Sequence, residues 1–178
     1  EGKKEVRRLC FAVSASLAVI DEVVKKGGDV LITHHGIFWN KDPYPITGVK
    51  RDKIERLLKD GISLLSYHLP LDAHPRIGNN WKAAIDLGLG DLQSFQSIGV
   101  KGTMEPMSID AFREKLEAYY GRPAHVALGG KREVASVALI SGGAHRSIEQ
   151  AADAGVDCYI TGSFDEPVWD IAHERGIN

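Results

Sequence analysis

The stretch LITHHGIFWN, residues 31–40, leads from three apolar or β-branched residues into two adjacent histidines, a glycine and two aromatics. With Asp29 and Val30 before them, Leu31, Ile32 and Thr33 read as a strand over residues 29–33. Neighbouring strand side chains point to opposite faces, so His34 and His35 should diverge unless the chain turns there. Gly36 follows and permits a sharp turn that would let both imidazoles aim inward.

The pattern extends in both directions. Upstream, RRLCFAV (residues 7–13) is a short apolar strand. SLAVIDEVVKKGG follows, with Leu17, Ile20, Val23 and Val24 on one helical face, Ser16 as N-cap and Gly27 as the stop. Strand, helix and strand make a βαβ unit, which predicts parallel pairing and a right-handed crossover. Downstream, residues 51–61 form an amphipathic helix stopped by Gly61. Residues 62–68, ISLLSYH, form a third strand whose continuous hydrophobicity predicts cover on both faces. Residues 79–90 read as a helix capped by Asn79 or Asn80. The glycine-dotted residues 91–106 read as a connector or the edge of a sub-domain. A helix begins after Ser108, HVALGG (125–130) and EVASVALISGG (133–143) are strand candidates, and residues 167–176 close as a helix. SGG at 141–143 reads as a tight turn, with anion binding at a helix start as the competing reading.

An echo runs through this order. Gly27, Asp29, Ile32 and Thr33 stand 128 positions before Gly155, Asp157, Ile160 and Thr161, and Ile20 stands 128 before Ile148. Any two βαβ units look alike, but a constant offset favours duplication. The expected fold class is α/β: two pseudo-duplicated βαβ-containing halves, a mixed, mostly parallel sheet and flanking helices. One domain over 1–178 is expected, with pseudo-repeats near 7–36 and 135–163.

At 43% hydrophobic and 26% charged, the composition is that of a globular chain. A net charge of -2 argues against a nucleic-acid partner. No apolar run is long enough for a membrane span. Cys10 and Cys158 are too few for a disulfide scaffold and read as buried thiols in a reducing compartment, so the expected location is cytoplasmic. Both ends read as cuts in a longer protein, so the lack of a leader carries no weight.

Working residues of open α/β sheets sit past the C-terminal ends of the strands. His34 and His35 hold that place after one strand. HLPLDAHP after the next brings His68, Asp72 and His74 to the same edge. Imidazoles with a carboxylate are the ligand set of Zn, Mn, Fe, Ni or Co sites. Diverging adjacent histidines also suit two ions, which in dinuclear sites lie about 3.5–4 Å apart. The competing readings are a hydrogen-bonded histidine pair without metal, a turn-capping Asp72, and His68 or His74 as residues that orient a ligand. Phe38, Trp39, Tyr44 and Trp81 either wall a pocket for a planar ligand or make packing contacts. There is no nucleophile elbow and no phosphate-binding lysine loop.

LITHHGIFW, YHLPLDAHPRIGNN, ALISGGA and GVDCYITG resemble the NIF-three-like family of dinuclear-metal proteins, whose bacterial members are called GTP cyclohydrolase I type 2 homologs. The resemblance covers nearly the whole chain. It implies two divalent ions, with His35 and Asp72 sharing one and His34 holding the other. It also implies two further ligands from a C-terminal Gly-His-x-Ala-Thr-Glu segment that this sequence lacks, so the site is expected to be incomplete here. After YITG the family carries an acidic residue, where Ser163 stands in this sequence. Asp165 and Glu166 are nearby substitutes. His68, His74 and Ser163 are the outer-ligand or substrate candidates. The implied function is a metal-dependent hydrolase of a nucleotide-like or other small planar substrate. The alternative is a non-catalytic metal-binding assembly. The implied partner is a second copy of the chain, in a homo-oligomer that the family builds as a hexamer.

Overall fold

The computed structural model describes residues 2–178. The chain divides into two compact units, Glu1–Leu71 and Asp72–Asn178.

The first unit holds β1 (Leu9–Ser14), α1 (Leu17–Lys25), β2 (Val30–His35), α2 (Gly48–Lys59) and β3 (Ser63–Ser66). The strands form one parallel sheet in the order β1-β2-β3. The Ser16 hydroxyl accepts from Val19 N–H at the start of α1, and Gly27 takes a φ of 63° past its end. Ile20 and Val23 pack with Leu31, Leu57 and Ile62 in the core. Ile20 and Leu31 are fully buried, and each such side chain stabilises by about 1.5–3 kcal/mol over its exposed state.

One expectation fails in this unit. Residues 62–68 are not covered on both faces: β3 is an edge strand, and Leu65 and Tyr67 are exposed. Hydrophobic continuity reported propensity here, not burial. β2 runs through His35 in extended form and ends there, and Gly36 takes no positive φ. A Cβ at Gly36 would lie 3.0 Å from Ser66 Oγ, so the glycine admits a close neighbour.

The second unit begins with Asp72, the last residue of the one-turn helix α3 (Leu69–Asp72). It continues with α4 (Asn79–Asp86), β4 (Gly90–Phe95), β5 (Gly99–Ser108), α5 (Ile109–Tyr120), β6 (Glu133–Ile140), α6 (Ile148–Asp153), β7 (Cys158–Thr161) and α7 (Glu166–Arg175). Its sheet order is β4-β5-β6-β7, antiparallel except for the parallel pair β6-β7. Strand alternation sorts the core: Val137 and Leu139 face Leu87 and Phe112, while Ala138 and Ile140 face Ile148, Val168 and Ala172.

Residues 91–106 form a hairpin at the edge of the second unit's sheet, the second of the two readings, and not a connector. Asp91 and Gln96 take positive φ, and the ladder shifts register twice, which erased the alternation a strand should show. Residues 125–130 form no strand. Ala127 is buried, and the Gly129 backbone lies so close to α7 that a Cβ there would meet Ala172 O at 2.1 Å. Neither Asn79 nor Asn80 is the N-cap of α4, which is Gly78. Ser108 does cap α5, accepting from Ala111 N–H.

The two units share a local design. Asp29 accepts from Arg7 N–H and Arg8 N–H at 2.8 and 2.9 Å and from Lys3 Nζ at 2.7 Å. Asp157, 128 positions on, accepts from Ala135 N–H and Ser136 N–H at 3.1 and 3.0 Å and from Lys131 Nζ at 3.1 Å. Each donor keeps the same offset. Each aspartate thus fixes the backbone that enters the neighbouring parallel strand.

Candidate metal centre

The parallel register builds the histidine cluster. Thr33 pairs with Ser66, and Tyr67 N–H donates to Thr33 O at 2.9 Å. The residues after β3 thereby reach the end of β2, and His68 arrives beside the histidine pair. Ring centroids lie 4.6 Å apart for His34 and His35, 4.8 Å for His34 and His68, and 5.1 Å for His35 and His68. One ligand nitrogen from each ring lies within 4.8 Å of the others. The rings converge at the strand end although their residues alternate.

Two hydrogen bonds set the rings. His34 Nδ1–H donates to Tyr67 O at 3.1 Å, which makes Nε2 the basic nitrogen. His35 Nδ1 bonds the Ser14 hydroxyl at 3.0 Å, where the β1-β2 register places Ser14 opposite His35. Metal-binding histidines are oriented in this way, one ring nitrogen on a carbonyl or hydroxyl and the other toward the ion. Three imidazoles so arranged fit a divalent ion of the Zn, Mn, Fe, Ni or Co group.

An aromatic wall stands beside them. Trp39 lies 5.8 Å from the His35 ring and 5.5 Å from the His68 ring. Asp42 accepts from Trp39 N–H and Lys50 Nζ, which secures the loop, and the Lys50 ammonium holds the Asp42 carboxyl below its ordinary range. Lys50 also sits over the exposed Phe38 ring at 4.7 Å. Tyr44 is fully exposed, and Trp81 packs against the core of the second unit.

Asp72 lies in the second unit. It is buried, its Oδ1 accepts from Asn79 Nδ2 at 2.8 Å, and Ser141 Oγ stands 3.5 Å from the same oxygen. The fully buried Asn80 donates to Ile98 O at 2.7 Å and accepts from Ser141 N–H at 2.6 Å. Both asparagines serve this network instead of capping α4. His74 Nδ1 accepts from Arg76 N–H and Ile77 N–H and closes its own loop.

Ser163 has a partner that the sequence did not suggest. Its Oγ lies 2.9 Å from His145 Nδ1 and accepts from His145 N–H at 3.3 Å. His145 Nε2 stands 3.7 Å from Asp165 Oδ2. Ser163 and Asp165 are 18 and 20 positions from His145, and only the loops after β6 and β7 bring the three together. Beside Ser163 opens a cleft of about 420 Å³, lined by Phe112, Leu116, Ile140, Ile160 and Phe164 among others. Cys158 and Tyr159 also line it, and burial pushes both groups up to about 12.

This α/β chain thus gathers three histidines at the end of a parallel sheet, where they could hold a metal ion. The chain belongs to the Duf34/NIF3 (NGG1p interacting factor 3) family, which it matches over residues 1–178. It is 48% identical over 183 residues to the GTP cyclohydrolase 1 type 2 homolog of Chlamydia muridarum, covering all of this chain and 73% of that one. The Yersinia pestis protein of the same name is 39% identical over 182 residues, again with 73% of its length covered. Among solved structures, the protein ybgI, described as of unknown function, superposes with a TM-score of 0.91 at 37% identity, over 99% of this chain and 72% of that chain. TTHA1606 from Thermus thermophilus superposes at 0.86 with 33% identity, over 99% and 72% of the two chains. The expected family and α/β class are therefore correct. No helix among the described residues is long and apolar enough to cross a membrane.

Proposed function

We propose that the chain holds divalent metal through His34, His35 and His68, and that the metal centre hydrolyses a nucleotide-like or other small planar substrate. The three-imidazole cluster, with ligand nitrogens within 4.8 Å, carries this reading. Two ions are proposed, since adjacent histidines leave the backbone on different vectors, with Asp72 as the carboxylate ligand. When bound, such an ion brings a water toward ionisation at neutral pH and polarises the bond under attack. The protein's part is to hold His34 and His35 by their Nδ1 atoms and to offer the Trp39 face to a planar group. The printed name of the chlamydial and Yersinia relatives, GTP cyclohydrolase 1 type 2 homolog, supports a nucleotide as the substrate class. Homo-oligomeric assembly, as a hexamer, is part of the proposal. Leu9, Phe11 and Val13 support it, an exposed apolar row along β1.

A second reading, a metal-holding assembly without turnover, is favoured by Ser163. A neutral hydroxyl bonded to His145 stands where the resemblance calls for an acidic group. Protein loaded with Zn, Mn or Fe and screened against nucleotides and phosphoesters separates the two. Turnover that is lost in His35→Ala supports the hydrolase. No metal-dependent turnover across the screen sinks it in favour of the assembly.

A further inference from the structure

We propose that Ser163, His145 and Asp165 form a second reactive centre that hydrolyses esters with an apolar acyl group, independently of metal. The geometry assigns the roles. Ser163 Oγ accepts from His145 N–H at 3.3 Å and lies 2.9 Å from His145 Nδ1, and in the tautomer that leaves Nδ1 bare the Ser163 hydroxyl donates to it. In that tautomer Nε2 carries the hydrogen, and Asp165 Oδ2 stands 3.7 Å from it, near but outside direct hydrogen-bond distance. Asp165 Oδ1 is held by Glu166 N–H at the N-cap of α7, which fixes the carboxylate. This places a nucleophile on a base, with an acid close enough to close onto it, the order of groups that activates serine on unrelated folds.

The surroundings suit an acyl group. Ser163 and Phe164 stand at the wall of the apolar 420 Å³ cleft, a volume typical of small-molecule pockets. The turn at Gly142 packs against Gly162, so closely that a Cβ there would lie 2.7 Å from Gly142 N. The backbone of this turn therefore runs next to the residue that precedes Ser163.

The reaction balances with water as the co-reactant. Ser163 Oγ bonds the ester carbonyl carbon while its proton passes to His145 Nδ1. The carbon–alkoxy bond breaks, and the leaving oxygen takes that proton as an alcohol. Water then attacks the acyl-serine and gives a proton to His145. The carbon–Oγ bond breaks, Ser163 recovers the proton, and a carboxylic acid leaves.

The test is labelling with an alkyl fluorophosphonate, with the adduct located by peptide mass spectrometry, alongside hydrolysis of p-nitrophenyl butyrate with and without chelator. The expected result is an adduct on Ser163. Hydrolysis should fall about 10²-fold or more in Ser163→Ala and in His145→Gln, whose melting temperatures confirm folding, and chelator should not affect it. Asp165→Asn, which keeps an oxygen for Glu166 N–H, should lower kcat and leave KM unchanged. An unlabelled Ser163, equal labelling in His145→Gln, or hydrolysis that chelator abolishes overturns the proposal. The last outcome would assign the activity to the metal centre.

Discussion

Replacing Asn80 by alanine tests the polar network behind Asp72. Asn80 is fully buried and makes two short bonds, 2.7 Å to Ile98 O and 2.6 Å from Ser141 N–H, and a longer one of 3.4 Å to Asp72 O. Alanine strands one donor and one acceptor in partly buried surroundings, at about 1–3 kcal/mol each. With values near the lower middle of that range, and the long bond left out, the loss is about 3 kcal/mol. That is a large share of the roughly 5–15 kcal/mol by which domains are stable. Asn80→Asp restores the acceptor for Ser141 but sets a carboxylate oxygen against Ile98 O, so it should not rescue. Guanidinium unfolding followed by circular dichroism reads the effect as a lower midpoint at constant slope. A loss below about 1 kcal/mol, or full rescue by aspartate, would refute the reasoning.

The other predictions concern backbone clearance, thiol burial and acid stability. Gly129→Ala places a Cβ 2.1 Å from Ala172 O, backbone that cannot rotate away, so a loss of about 3 kcal/mol is expected in the same unfolding assay. An unchanged midpoint would show that residues 125–130 yield easily. Burial, and then the Asp157 charge, hold the Cys158 thiol up at about 12, so alkylation of native protein at about pH 8 should spare Cys158. Fast modification before unfolding would contradict its place in the core. Burial pushes the Asp157 carboxyl up, but Ser136 Oγ, Ala135 N–H and Lys131 together outweigh it, and its folded value lies below the ordinary one. A lowered carboxyl stabilises above its unfolded value, near about 3.9, and that share is lost as pH falls through the folded value. Asp157→Asn should therefore lower the melting temperature at about pH 7, with the gap to wild type closing below about pH 4. A gap that stays constant down to about pH 2.5 would show that the Asp157 charge contributes no such stability.

The first unit was readable because its signals are local. Ser16, the Ile20-Val23 face, Gly27 and a β-branched run specify strand, helix and strand in one short stretch of chain. The hairpin from Gly90 to Ser108 was not, because its positive-φ residues are Asp91 and Gln96 instead of glycines, and Pro106 lies where the register shifts. Residues 125–130 looked like a strand because their apolar run carries strand propensity, although only Ala127 is buried and no ladder forms. At the site, the His34-His35 pair was visible as a motif. The closeness of His68 depends on a parallel register that the sequence only implies. The contact of His145 with Ser163 depends on two loops meeting, for which no spacing signal exists. Asn79 and Asn80 misled because the residue type that caps a helix also satisfies buried carbonyls.

The central claim is that His34, His35 and His68 hold a divalent ion. Equilibrium dialysis against zinc, with metal counted by elemental analysis in wild type and in each single alanine variant, tests it most directly. At least stoichiometric zinc is expected in wild type. Affinity should fall about tenfold or more in each variant, the scale on which even the outer partners of a metal ligand act. Wild-type affinity retained in all three variants would contradict the claim.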